Sequence, residues 1–123
     1  MNDARKKTRF LSELSCAFGP TPDAPRSGTI TSIGLRECFV KTKAIVIEGQ
    51  DLFVRVWMPD NRWLRMSGRV KYHMTGVGFG VIFHELPDEL STDLAGLIDL
   101  LRLRQLAESR AKSADDADGY SAT

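Results

Sequence analysis

Ser27-Gly28-Thr29-Ile30-Thr31-Ser32-Ile33-Gly34-Leu35-Arg36-Glu37 is the stretch on which the fold turns. Ile30 alternates with the hydroxyls of Thr29 and Thr31, the period-two pattern of a half-buried strand. Gly34 follows, free to take the positive φ that other residues resist. The run therefore reads as a strand entering a glycine turn.

Downstream, Cys38-Phe39-Val40 and Ala44-Ile45-Val46-Ile47 are short β-rich runs, and Glu48-Gly49-Gln50-Asp51 is a turn by composition. Leu52, Val54, Val56 and Met58 fall on one face of a further strand, with Phe53, Arg55 and Trp57 on the other. Pro59-Asp60-Asn61-Arg62 reads as a hairpin loop. The answering strand puts Leu64, Met66, Val70 and Tyr72 on one side and Arg65, Ser67, Arg69 and Lys71 on the other, with Gly68 a candidate bulge or bend. Thr75-Gly76-Val77-Gly78 turns the chain, and Phe79, Val81 and Phe83 share one face of the last strand. Short strands joined by tight turns predict an antiparallel barrel or sandwich.

The period then becomes helical. Pro87 suits a first turn, and Asp88, Glu89 and Asp93 sit at the positive end of the helix dipole. Leu90, Leu94, Leu97, Ile98 and Leu101 recur at three- and four-residue steps, one face for the sheet to receive. Leu100, Leu103 and Leu106 widen that apolar surface, enough to cover a barrel end or to meet a second copy in a homodimer. From Ser113 the composition is small, acidic and polar, which predicts disorder.

Upstream, Gly19-Pro20-Thr21-Pro22-Asp23-Ala24-Pro25 admits neither ladder nor helix. Before it, Leu14, Cys16 and Phe18 alternate with smaller residues as in a strand, while a helical turn over residues 10–14 competes. The first residues hold Arg5, Lys6, Lys7 and Arg9 against the single acid Asp3. Arg5 and Arg9 form an Arg-x-x-x-Arg pair, two guanidiniums able to fork onto phosphate or stack on a base.

Composition bounds the function. The chain has 123 residues, 42% of them hydrophobic and 27% charged, with a formal net charge of +1. That is one soluble domain with no global pull on nucleic acid or anionic lipid, so any phosphate attraction is local. Cys16 and Cys38 lack metal-ligand spacing and read as reduced thiols of a cytoplasmic protein. No run approaches a membrane span or the apolar core of a signal peptide. His73 and His84 lack ligand partners at useful spacing, so no metal is expected. No Ser, Cys or Thr has a recognisable base, so no enzyme is expected. Gly76, Gly78 and Gly80 join strands rather than opening a helix, and serve turns rather than phosphate. Trp57 and Trp63 flank the hairpin; such residues are usually sheet packing, but exposed they would mark a protein contact. Arg55, Arg65, Arg69 and Lys71 alternate with apolar residues, as a solvated face or as a phosphate-facing or partner-facing patch.

Taken together, the Arg5/Arg9 arm, the Gly28-to-Leu35 strand, Ser67-Gly68-Arg69-Val70 and Gly78-Phe79-Gly80-Val81-Ile82-Phe83 before a helix resemble the PilZ domain. The resemblance runs from about Arg5 to about Leu106. It implies a six-stranded antiparallel β-barrel with a C-terminal α-helix, and a bacterial receptor for cyclic di-GMP. It also implies the residue roles. Arg5 and Arg9 match the family's arm, Gly34 the glycine of its Asp/Asn-x-Ser-x-x-Gly motif, and Thr31 the serine. Thr29 stands where the acid or amide should be. It keeps a hydroxyl but lacks a carbonyl-type acceptor for the donor edge of guanine.

The expected organisation is a basic arm over residues 1–12, barrel and helix over 13–110, and a tail over 111–123. The expected function is a non-enzymatic signalling adaptor without a cofactor. It regulates motility, attachment or polysaccharide export through a protein partner, with cyclic di-GMP binding weak or lost. The alternative is a working receptor whose arm closes over the dinucleotide.

Overall fold

The alternation read from Leu52 to Met58 is the inside and outside of a closed sheet. In the computed structural model, which describes residues 10–122 and the side chains of 10–110, the described strands form one barrel. They are β1 (Phe10–Gly19), β2 (Arg26–Ile33), β3 (Glu37–Lys41), β4 (Asp51–Trp57), β5 (Trp63–Met74) and β6 (Gly78–Phe83). Their order around the barrel is β1-β2-β3-β6-β5-β4, every pair antiparallel, and β1 pairs with β4 to close the ring. Closure leaves no open edge among the described strands for another chain to extend.

The inward residues fill the barrel as the period-two pattern requires. Leu52, Val54, Val56, Leu64, Met66, Val70 and Val81 are all buried, and Phe18 meets Phe79 edge to face at 5.0 Å. Cys16 and Cys38 are free, buried thiols. Burial pushes the Cys16 thiol up to about 12, against the lowering effect of a hydrogen bond with the Gly28 backbone.

Helix α1 (Asp88–Ala122) closes one side of the barrel against β1 and β5. Leu94, Leu97, Ile98 and Leu101 are buried in the shared core, and Leu90 packs at its margin. Arg62 in the β4–β5 hairpin pins this helix. It donates from Nε to Asp60 at 2.6 Å and from Nη1 to Asp93 at 3.0 Å.

Several expectations change. β1 begins at Phe10, so the strand reading over residues 10–14 holds and the helical turn does not; residues 10–12 of the expected arm belong to the sheet. Residues 44–47 are not a strand: Val46 is buried and Ala44 packs half-buried against the core, while Ile45 and Ile47 are exposed. No ladder of the described strands includes these residues; side chains meet their backbone instead, the Arg26 Nη1 donating to the Ile45 carbonyl at 3.3 Å and the Ile47 N–H donating to the Gln50 side chain at 2.8 Å. Gly68 is no bulge, because it lies in continuous register with Leu52 and Phe83. Its missing Cβ makes room instead, since a methyl group there would stand 2.5 Å from the Ile82 carbonyl oxygen. The bulge of β5 falls between Val70 and Tyr72. The helix continues through Ala122, past Ser113, where composition predicts disorder.

Candidate functional site

Ile30 and Ile33 are both fully buried although three residues apart. A regular strand forbids this, because alternate side chains face opposite ways. The register supplies the reason: Ile30 pairs with Val40 and Ser32 with Phe39, which leaves Thr31 as an extra residue against β3. On the other side, the Ser12 hydroxyl donates to the Ile30 carbonyl at 2.6 Å. The bulge keeps both isoleucines in the core, with Thr29 and Thr31 half-buried rather than in it.

Thr29 and Thr31 line one open cleft of about 720 Å³. Glu13 and Ser15 of β1 form one wall and Lys41 at the end of β3 forms the other. Thr42, Lys43, Gly76 and Val77 complete the described lining. Lys41 stands directly across from Thr29 in the β2–β3 ladder. The Thr42 N–H donates to the Val77 carbonyl at 3.1 Å, and the Ala44 N–H donates to the Thr42 hydroxyl at 3.2 Å. These two bonds hold the Lys43 backbone between the β3 end and the β5–β6 turn. Among the described residues, neither lysine has an ion-pair partner. Four hydroxyl side chains that both donate and accept (Ser15, Thr29, Thr31 and Thr42), with two ammonium groups against the one carboxylate of Glu13, suit an oxygen-rich ligand that carries negative charge.

The sequence-based site is thus gathered in part. Thr29 and Thr31 share the cleft. Gly34 is buried at the end of β2 and does not line it, and positive φ falls at Gly49, Gly76 and Gly78 rather than at Gly34. The turn closes instead through the Gly34 N–H donating to the Glu37 carbonyl at 2.8 Å. Arg5 and Arg9 lie outside the described residues. Phe10, the next residue after Arg9, pairs with Ile33, the residue before Gly34. Lys41, Lys43 and Ser15 escape the sequence reading, because nothing in their local spacing says that β1, the β3 end and the β5–β6 turn converge.

Among the described residues no group of three or more His, Cys, Asp or Glu could hold a metal ion. No described helix is long and apolar enough to cross a membrane.

No family model and no curated protein matches the sequence. Solved structures do match the fold. The inhibitor of motility (MotI/DgrA) of Bacillus subtilis superposes with a TM-score of 0.63 at 13% identity, over 80% of this chain and 49% of that one. This chain therefore spans about half the length of that protein. The PilZ domain of CeSA from a cellulose-synthesizing bacterium gives 0.62 at 15% identity, over 78% of this chain and 99% of that one. The PilZ domain of YcgR from Escherichia coli, solved with c-di-GMP, gives 0.62 at 13% identity, over 87% and 95%. At these identities the likeness is one of fold: this chain has the fold of those PilZ domains.

Proposed function

We propose that this chain is a non-enzymatic, cytoplasmic signalling adaptor of the PilZ type, whose cleft attracts phosphate but reads guanine weakly. The observation that carries the reading is the make-up of the cleft: Thr29 and Thr31 beside Lys41 and Lys43, with no carboxylate or amide at residue 29. Ammonium and hydroxyl groups hold phosphate oxygens whatever the base. Discrimination of guanine needs an acceptor for its donor edge, and loss of a charged acceptor of that kind costs on the order of 1.5–3 kcal/mol, one to two decades of affinity. The adaptor then works on a protein partner in motility, attachment or polysaccharide export, the settings in which PilZ domains serve.

Calorimetric titration with cyclic di-GMP tests it. The expected result is weak or undetectable heat for the unaltered chain. Tight, stoichiometric binding would refute the weakened site and favour the second reading, a working receptor. One observation supports that second reading: Phe10, the residue that follows Arg9 in sequence, pairs with Ile33, the residue before Gly34.

A further inference from the structure

On another face of the barrel, Arg55 of β4 and Arg65 of β5 stand directly opposite each other in the ladder. Like charges in that relationship oppose folding. Arg55 is not a freely solvated side chain. Its Nη2 donates to the Ala24 carbonyl at 3.2 Å, its Cζ lies 4.6 Å over the Trp63 ring, and its Nε is buried without a hydrogen-bond partner. Arg65 is exposed and has no ion-pair or hydrogen-bond partner among the described residues. The pair borders a groove of about 270 Å³ between the sheet and the start of α1, whose apolar wall includes Phe53, Met66, Leu86 and Leu90. The one carboxylate in its lining is Glu85. Trp57 and Trp63, in edge contact at 5.1 Å, extend the surface and are 39% and 37% exposed.

We infer that this groove docks a segment of a partner protein that places an apolar side chain between the sheet and α1 and an adjacent carboxylate on Arg55 and Arg65. Charge complementarity selects the occupant. Two facing guanidiniums, one of them with a desolvated and unpaired N–H, are stabilised by a shared carboxylate. Exposed tryptophans and arginines around an apolar slot are also the residue types that carry binding energy at protein interfaces. The inference does not depend on whether the threonine-lined cleft binds a dinucleotide.

Selection of a phage-displayed random dodecapeptide library on the full chain tests it. The expected outcome is enrichment of peptides that join a large apolar residue to Asp or Glu. A synthetic version of the enriched peptide should shift the emission of Trp57 and Trp63, the chain's only two tryptophans. Replacing its acid by the amide, or using the Arg65→Glu variant, should weaken binding at least about tenfold. Arg65→Glu replaces a repulsive cross-strand pair with an attractive one, so its melting temperature should be equal to or above that of the unaltered chain, which separates lost docking from lost folding. Absence of enrichment, enrichment of peptides without acids, or binding indifferent to Arg65→Glu would each overturn the inference. An equal emission shift with phosphatidylglycerol vesicles would assign the face to membrane and overturn it as well.

Discussion

Phe10 faces Ile33 across the β1–β2 ladder, so the first described residue of the chain is held beside the last residue of the strand that carries Thr29 and Thr31. If the arm contributes to ligand binding, Arg5→Ala and Arg9→Ala should each reduce whatever cyclic di-GMP affinity calorimetry detects, by about tenfold or more, while leaving the melting temperature unchanged. Survival of affinity in both variants would remove the arm's assigned role.

Thr29→Asp restores a charged acceptor in the cleft opposite Lys41. It should tighten cyclic di-GMP binding by about ten- to hundredfold relative to the unaltered chain. Equal affinity in the two proteins would show that residue 29 does not read the base.

Phe18 is 1% exposed and packs on Phe79 in the centre of the barrel. Phe18→Ala should cost about 3–5 kcal/mol in chemical denaturation, because the ring's transfer energy is lost and the closed sheet cannot collapse into the space. A loss below about 1 kcal/mol would contradict the packing described for the core.

The Arg62 guanidinium holds the Asp93 carboxyl below its ordinary value, by hydrogen bond first and by charge second, against desolvation. A depressed folded value means that the carboxylate's contribution to stability is complete above its ordinary range and is lost as pH falls through the lowered value. Thermal melts of the unaltered chain and Asp93→Asn should therefore differ near neutral pH, with the variant less stable, and converge as pH falls below the ordinary carboxylate range and through the lowered value. A constant difference across that window would show that Asp93 acts in some way other than through its charge.

Leu103 and Leu106 are 62% and 51% exposed on α1, and Leu11 at the start of β1 is 73% exposed. If these side chains meet a second copy, light scattering at high concentration should give a dimer mass, and the Leu103→Glu, Leu106→Glu double variant should give a monomer. A monomer for the unaltered chain at high concentration would leave the helix without that role.

The period-two runs from Leu52 onward and the three- and four-residue spacing of the leucines around Leu94 were enough to determine a β-barrel with a helix against it. Side-chain alternation is a local property, fixed by strand and helix geometry whatever the partners. The same local signal misleads at Ala44-Ile45-Val46-Ile47, where β-prone residues join no ladder and form a loop. It also conceals the Thr31 bulge, which exists because the β1 and β3 registers must both be met while Ile30 and Ile33 stay in the core. Thr29 and Thr31 could be named from their motif. That Lys41 and Lys43 join them, and that Arg55 confronts Arg65, depends on strand order and register, which are decided by closure of the barrel over residues far apart in the chain.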